Sequence, residues 1–396
     1  MTTNGSFIVA GARTPIGKMS GALGSFSAAE LGGFAIAAAL ERAGVAPEEV
    51  DHVIMGQVLM AGQGQVPSRQ AAVKAGIPLS VPSVNVNKVC LSGINSVYLA
   101  NQMIAAGEAD IVVAGGMESM TNAPYIADGA RGGFRYGNTE LRDAIIADGL
   151  WCSFDSCLMG LGTDRDAGKA DIVRERQDEL AAKSNERAAN AIKEGRLADE
   201  IVAVGVPQRK GDPILVETDE GVRPGTTLES LGALRPAFDS EGTVTAGNAS
   251  QLSDGGSAIV LMSRAEAERR GVDPLGEFVS YGMVAGPDNV SLLTQPSRAI
   301  FRALERAGLT VGDIDLFELN EAFAAVGLAS MDDLGITDEI VNVNGGAIAL
   351  GHPIGMSGNR LVLTLLHELA RRGGGTGAAA LCGGGGQGDA AIIRTV

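Results

Sequence analysis

Histidine, cysteine, aromatic residues and positive charge are all scarce in this chain of 396 residues, and each shortage excludes something. Four cysteines in a chain of this length cannot form a disulfide framework, which points to a reducing compartment. Cys152 and Cys157 have no second pair near them, so a zinc site is not expected, and no other metal set is visible. Lysine and arginine number 31 against 47 acidic residues, a net charge of −16. That argues against nucleic acid or an anionic membrane as the main partner. It still allows a small anionic substrate, which local cations and helix N-termini can hold. No apolar run is long enough to span a bilayer. The opening "MTTNGSFIVAGARTP" lacks a basic stretch followed by an apolar core, so a cytoplasmic protein is expected. With only His52, His352 and His367 present, the search for a general base is short.

What is abundant is apolar alternation, glycine and internal likeness. "ALERAGVAPEEVDHVIMGQ" at 39–57 echoes "ALERAGLTVGDIDLFELNE" at 303–321. "NVNKVCLSG" at 85–93 is answered by "NVNGGAIALGHPIGMSG" at 342–358. A helix-length segment and a short strand running into glycines follow each: "DIVVAGGMES" in one case, "GAAALCGGGGQG" in the other. The closing strand comes at once in the second half, "GDAAIIRTV" at 388–396. Its likeness in the first half, "DGGSAIVLMS", waits until 254–263. The displacement predicts an insertion. The chain divides into a first half, 1–120 completed by 253–272, an inserted lobe, 121–252, and a second half, 273–396. Strands alternate with helices in both halves, which predicts an α/β fold of two packed sheets with helices between and outside. Ser27-x-x-Glu30 reads as a capping box and Gly44 as the end of that helix.

Strand-to-helix turns are where such folds place their sites. Cys90 stands in one, ahead of a helix predicted over 92–107. The helix dipole is expected to lower its pKa and make it a nucleophile, although a buried structural cysteine is the commoner fate of a free thiol. The duplicate turn carries His352 in "GGAIALGHPIGMSG", a poor place to pack a ring and a good one for a general base. His52 and His367 read as structural. Cys382 ends a strand and meets four glycines, a backbone that a substrate can approach and whose N–H groups could bind an oxyanion. Asn320 and Glu321 could cap the following helix, or Asn320 could orient a water or a carbonyl. The dinucleotide fingerprint fails at 383–388 for want of a following helix, and "GARTPIGKM" fails as a phosphate loop.

These stretches together, "VCLSG", "NEAFA", "GGAIALGHPIGMSG" and "CGGGGQG", with "ARTPIGK" and "EGTVTAGNASQLSDG", resemble the thiolases over nearly the whole chain. The resemblance implies a five-layered αβαβα sandwich with an inserted loop lobe, usually a homodimer or homotetramer. It implies no permanently bound cofactor, with coenzyme A thioesters as substrates and CoA as the group handled by the lobe. It makes Cys90 the acyl-accepting nucleophile, His352 its base, and Cys382 the second acid/base. Asn320 would hold a water in one oxyanion hole, and the N–H groups of Cys90 and Gly384 would form another. Arg223 would lie against the adenine and Ser250 near the pantetheine, with Met159 and Phe323 at the acyl pocket. The implied reaction joins two acetyl-CoA to give acetoacetyl-CoA and CoA. Leu158, where short-chain members commonly carry histidine, and "QLSDG" lean towards broader 3-ketoacyl-CoA substrates.

Overall fold

The computed structural model describes residues 5–287 and 289–396. Ten strands form its main sheet: β1 (Ser6–Arg13), β2 (Gly17–Lys18), β3 (His52–Gly56), β4 (Ser83–Val86), β5 (Ile111–Ser119), β6 (Ser253–Ser263), β7 (Gly276–Ala285), β8 (Leu316–Leu319), β9 (Thr376–Gly383) and β10 (Gln387–Arg394). Their order is β8-β9-β10-β7-β1-β6-β5-β3-β4, with β2 paired to β6. The halves therefore mirror each other about the β7–β1 seam. β6 lies antiparallel between β1 and β5, as β10 lies antiparallel between β7 and β9. The late strand at 253–263 thus occupies the place in the first half that β10 occupies in the second.

Two separate sheets were expected; the hydrogen bonding makes one. β1 and β7 pair over Phe7↔Glu277 and Ile8↔Gly276, a short seam that joins the halves edge to edge. Alternation along the strands shows how the layers form, because successive side chains leave opposite faces. Ile8, Val112, Ile259, Ala379 and Ile393 pack into one buried cluster with Ile94 and Val97 of helix α3 (Ser92–Ala105) and Leu361 and Leu365 of helix α8 (Ser357–Arg371). Their neighbours Phe7, Val9, Val113 and Val260 face away, onto α1 (Ala28–Ala43) and α2 (Pro67–Lys74). Ala378, Ala390 and Ile392 face α6 (Gln295–Ala307) and α7 (Ala324–Leu334). Two helices are thus held between the sheet halves and a pair lies outside each, giving the αβαβα sandwich.

The Ser27–Glu30 capping box forms, and Gly44 closes α1 at φ 61°. Between β5 and β6 the lobe carries α4 (Met159–Lys169) and α5 (Arg174–Lys193). The break between them falls where Asp171 takes φ 54°. The lobe is fixed to the end of β1 by Arg13. Its wholly buried guanidinium bonds Glu200 at 2.7 Å and Asp219 at 2.6 Å.

The two central helices meet at their N-termini, and glycine makes this possible. A Cβ on Gly358 would sit 2.4 Å from the Ile94 nitrogen, and one on Gly93 would sit 2.8 Å from the Asn359 nitrogen. Replacing Gly358 with alanine is expected to cost about 1–3 kcal/mol, since neither backbone can yield. Denaturant unfolding should show it as a lowered midpoint with an unchanged slope, and activity should fall further than stability.

Candidate active site

Cys90 closes the turn between β4 and α3. The residue before it, Val89, is β-branched yet takes φ 51°, a strained conformation that the surroundings must impose. They do so at several points. Ser92 donates its hydroxyl to the Val89 carbonyl at 2.6 Å and accepts the Lys88 N–H at 2.8 Å. The Lys88 ammonium reaches both oxygens of buried Asp389 at 2.7 and 2.8 Å, and Asp389 also accepts the Tyr281 hydroxyl at 2.8 Å. The glycine run after Cys382 lies on this turn. A Cβ on Gly383 would meet Leu91 at 2.5 Å, and one on Gly384 would meet Val89 at 3.3 Å.

His352 follows a short helix, Ala347–Leu350, in the longer second turn. Its Nδ1 lies 2.6 Å from the Ser357 hydroxyl, which itself donates to the Pro353 carbonyl at 3.0 Å. Ser357 must then accept from Nδ1–H, which leaves Nε2 unprotonated. Nε2 faces the Asn320 amide nitrogen at 3.4 Å. The Asn320 side-chain oxygen is buried with no partner among the described residues. The two turns abut: a Cβ on Gly93 would stand 2.9 Å from the Gly355 carbonyl oxygen, and one on Gly116 would stand 2.2 Å from it.

Burial sets the protonation states. Cys90 was expected to be acidified by its helix. Instead desolvation pushes its thiol up to about 12, assisted by the charge of Glu118 and only partly opposed by a backbone hydrogen bond. Cys382 is raised too, by burial and then by the neighbouring Cys90. His352 is pushed down to about 3 by burial and by the Arg360 guanidinium. The resting pair is a thiol and a neutral imidazole.

Asn320 and Glu321 do not cap α7, whose N-cap is Phe323 without a side-chain bond. Glu321 is instead a buried brace. It accepts from Ser184 at 2.6 Å, Asn342 at 2.8 Å and the Ile348 N–H at 3.1 Å, steadying the approach to His352. Its sequence neighbourhood gave only a polar pair after a strand. Ser357 and Glu118 were also missed. The repeated Ser-Gly was a signal for the first, and nothing marked the second.

A cavity of about 610 Å³ leads to His352. Leu158, Phe323 and Met120 line it with Ser250 and Arg223, and Lys18 adds a second cation. Cys90, Cys382 and Asn320 are buried off its wall, and Met159 faces a smaller crevice with Cys152 and Gly385. Among the described residues, no group of three or more His, Cys, Asp or Glu could hold a metal, and no helix is long and apolar enough to cross a membrane.

A duplicated αβαβα sandwich whose paired turns present cysteine and histidine is the frame of the site, and the chain belongs to the thiolases. Residues 6–265 match the thiolase N-terminal domain and residues 272–395 the thiolase C-terminal domain. A protein of Mycolicibacterium smegmatis named probable acetyl-CoA acetyltransferase is 54% identical over 387 residues, 98% of this chain and 100% of that one. Acetyl-CoA acetyltransferases of Cupriavidus necator and Pseudomonas aeruginosa are 52% and 50% identical, each over 98% of both chains.

Glu118 links the turns. Its carboxylate accepts from the N–H groups of Val58 at 3.0 Å, Leu59 at 3.2 Å and Gly355 at 3.0 Å. Glu118→Gln sets an amide donor against a donor, at a cost of about 1–3 kcal/mol. Burial raises this carboxyl from 4.5 to about 7, so the native state holds a proton that the unfolded chain has lost between those values. That contribution to stability is complete below pH 4.5 and is lost as the pH rises to about 7. The stability difference between wild type and Glu118→Gln, followed by unfolding across this range, should shrink with rising pH.

Proposed function

We propose that the chain is an acetyl-CoA C-acetyltransferase, joining two acetyl-CoA to acetoacetyl-CoA and CoA through an acyl group carried on Cys90. The observation that carries this reading is the packing of the Cys90 turn against the His352 turn and the Cys382 loop, with His352 on the wall of the cavity. His352 takes the thiol proton at Nε2 as the Cys90 sulfur attacks the thioester carbonyl, and CoA leaves with the proton of Cys382, which becomes a thiolate beside the protonated ring. Neutral imidazole beside neutral thiol suits this, because the charge separates only as the reaction begins. The Cys382 thiolate then removes an α-proton from the second acetyl-CoA, the carbanion attacks the acyl-Cys90 carbonyl, and the Cys90 thiolate it expels recovers its proton from His352. Asn320, through its water, and the N–H groups of Cys90 and Gly384 stabilise the oxyanions.

On the cavity wall Lys18 suits the phosphates of coenzyme A, Arg223 its adenine and Ser250 its pantetheine arm. No resident cofactor is required, since the CoA thioesters bring their own activated carbonyl. We place the enzyme in a reducing cytoplasm, in keeping with its free cysteines. We read it as a homodimer or homotetramer, in keeping with the exposed Val84 on edge strand β4 and the exposed Tyr136 and Phe154 of the lobe.

One observation favours a broader range of 3-ketoacyl-CoA substrates. Leu158 and Phe323 give the wall near His352 an apolar face. Leu158→His should therefore lower kcat/KM for branched or longer 3-ketoacyl-CoAs relative to acetoacetyl-CoA by about 10-fold or more, the size of effect that acyl-pocket contacts produce. Equal loss on all substrates would remove Leu158 from the acyl pocket.

Rapid-quench measurement of CoA release from acetyl-CoA tests the main reading. Wild type should show a burst equal to the enzyme concentration, Cys90→Ala none, and His352→Asn a burst slowed by about 10²–10⁴-fold. Acetyl exchange by Cys90→Ala at the wild-type rate would overturn the mechanism.

A further inference from the structure

Two of the four cysteines stand outside this machinery. Trp151–Cys152 and Cys157–Leu158 form a small antiparallel ladder in which Cys152 is the direct partner of Cys157. Opposed residues of such a ladder project to the same face with Cα atoms about 4.5–5.5 Å apart. A disulfide bridges Cα separations of about 4.4–6.8 Å. Both residues border the crevice at Gly162. The Cys157 sulfur lies 3.9 Å from where a Cβ on that glycine would stand, and Cys152 and Gly162 line the same crevice. Both thiols are free, and their access differs: Cys152 is partly exposed and Cys157 is buried. An entering oxidant meets Cys152 first, with Cys157 held behind it as the resolving thiol.

The hairpin also touches the active site from two sides. Phe154, at its tip, would stand 3.3 Å from a Cβ on Gly385, in the loop that follows Cys382. Leu158, at its end, lines the cavity with His352.

We propose that Cys152 and Cys157 are a reversible redox pair, closed by a low-molecular-weight disulfide such as oxidised glutathione. The Cys152 thiolate attacks one sulfur of that disulfide, breaks its S–S bond and releases one glutathione thiolate. Cys157, having given up its proton, then attacks the Cys152 sulfur and releases the second. Two protein thiols lose two electrons and the small disulfide gains them, becoming two thiols. Closure fixes the hairpin and with it the positions of Leu158 and Phe154. The thiols are kept open by a reducing thiol pool and closed when that pool is oxidised.

Trypsin leaves both cysteines on one peptide, residues 143–165, so the bond can be read directly. Full-length native protein is equilibrated in buffers graded from reduced to oxidised glutathione, quenched with iodoacetamide and digested without reduction. The expected product is an unalkylated 143–165 peptide lighter by two hydrogen atoms. It should accumulate as glutathione is oxidised, reverse with reductant, and form equally in Cys90→Ala. Cys157→Ser should stop at a glutathione adduct on Cys152. Persistence of that adduct in the wild type, or alkylation of both cysteines throughout, overturns the pair. A second arm rests on the thiolase reading, whereas the mapping does not. Closure should raise KM for acetoacetyl-CoA with kcat held, and the same treatment should leave KM of Cys157→Ser unchanged. An unaltered KM in fully closed protein overturns the coupling to the site.

Discussion

The contact between the N-termini of the two central helices is the constraint on which the rest of this structure depends. It requires glycine at 93 and 358, and the turn beside it requires glycine at 116, because backbone meets backbone with no room for a side chain. Once made, the contact buries whatever the two preceding turns carry. Here they carry a thiol and an imidazole, and desolvation acts on the two in opposite directions: it keeps the proton on Cys90 and off His352. A helix dipole is worth about 0.3–1 kcal/mol at an exposed terminus. It does not outweigh the loss of water around a wholly buried sulfur. The helix N-terminus here serves to hold the turn close to its duplicate, more than to acidify the cysteine.

Buried carboxylates then hold what the contact assembles. Glu118 ties the His352 loop to the end of β3, Glu321 ties the loop before it to α5, and Asp389 anchors Lys88 below the Cys90 turn. Each would be costly alone in the interior, and each is satisfied by N–H groups, a hydroxyl or an ammonium. They are not part of the net negative surface. They carry acidic residues inward as acceptors, while Arg223 and Lys18 remain on the cavity wall.

The layers and the duplication were legible in the sequence because both rest on spacing. Alternation along strands such as "DIVVAGG" and the repeated "ALERAG" determine which faces are buried and which elements correspond. The β1–β7 seam was not legible, since two residue pairs between strands far apart in the chain leave no local pattern. Of the residues that the fold brings to the candidate site, Cys90, His352 and Cys382 were legible because their type is rare and their setting unusual for packing. Glu118 and Asp389 were not, because a carboxylate in a sequence looks the same whether solvated or buried under three donors. The pKa of Cys90 was misjudged for the same reason: burial belongs to the fold and not to the turn.

The twin "Ser-Gly" at 92–93 and 357–358 shows how one corner came to do two jobs. In both halves the glycine permits the helix contact. In both, the serine hydroxyl donates to a carbonyl of its own turn, that of Val89 or Pro353. The remaining lone pairs differ in what they receive. Ser92 accepts the N–H of Lys88 and tightens the turn before Cys90; Ser357 accepts from His352 Nδ1 and fixes the tautomer. The longer second turn is what brings an imidazole within reach of that hydroxyl. The same serine that shapes the backbone beside the thiol therefore sets, in its duplicate, which nitrogen of the ring is left without a proton.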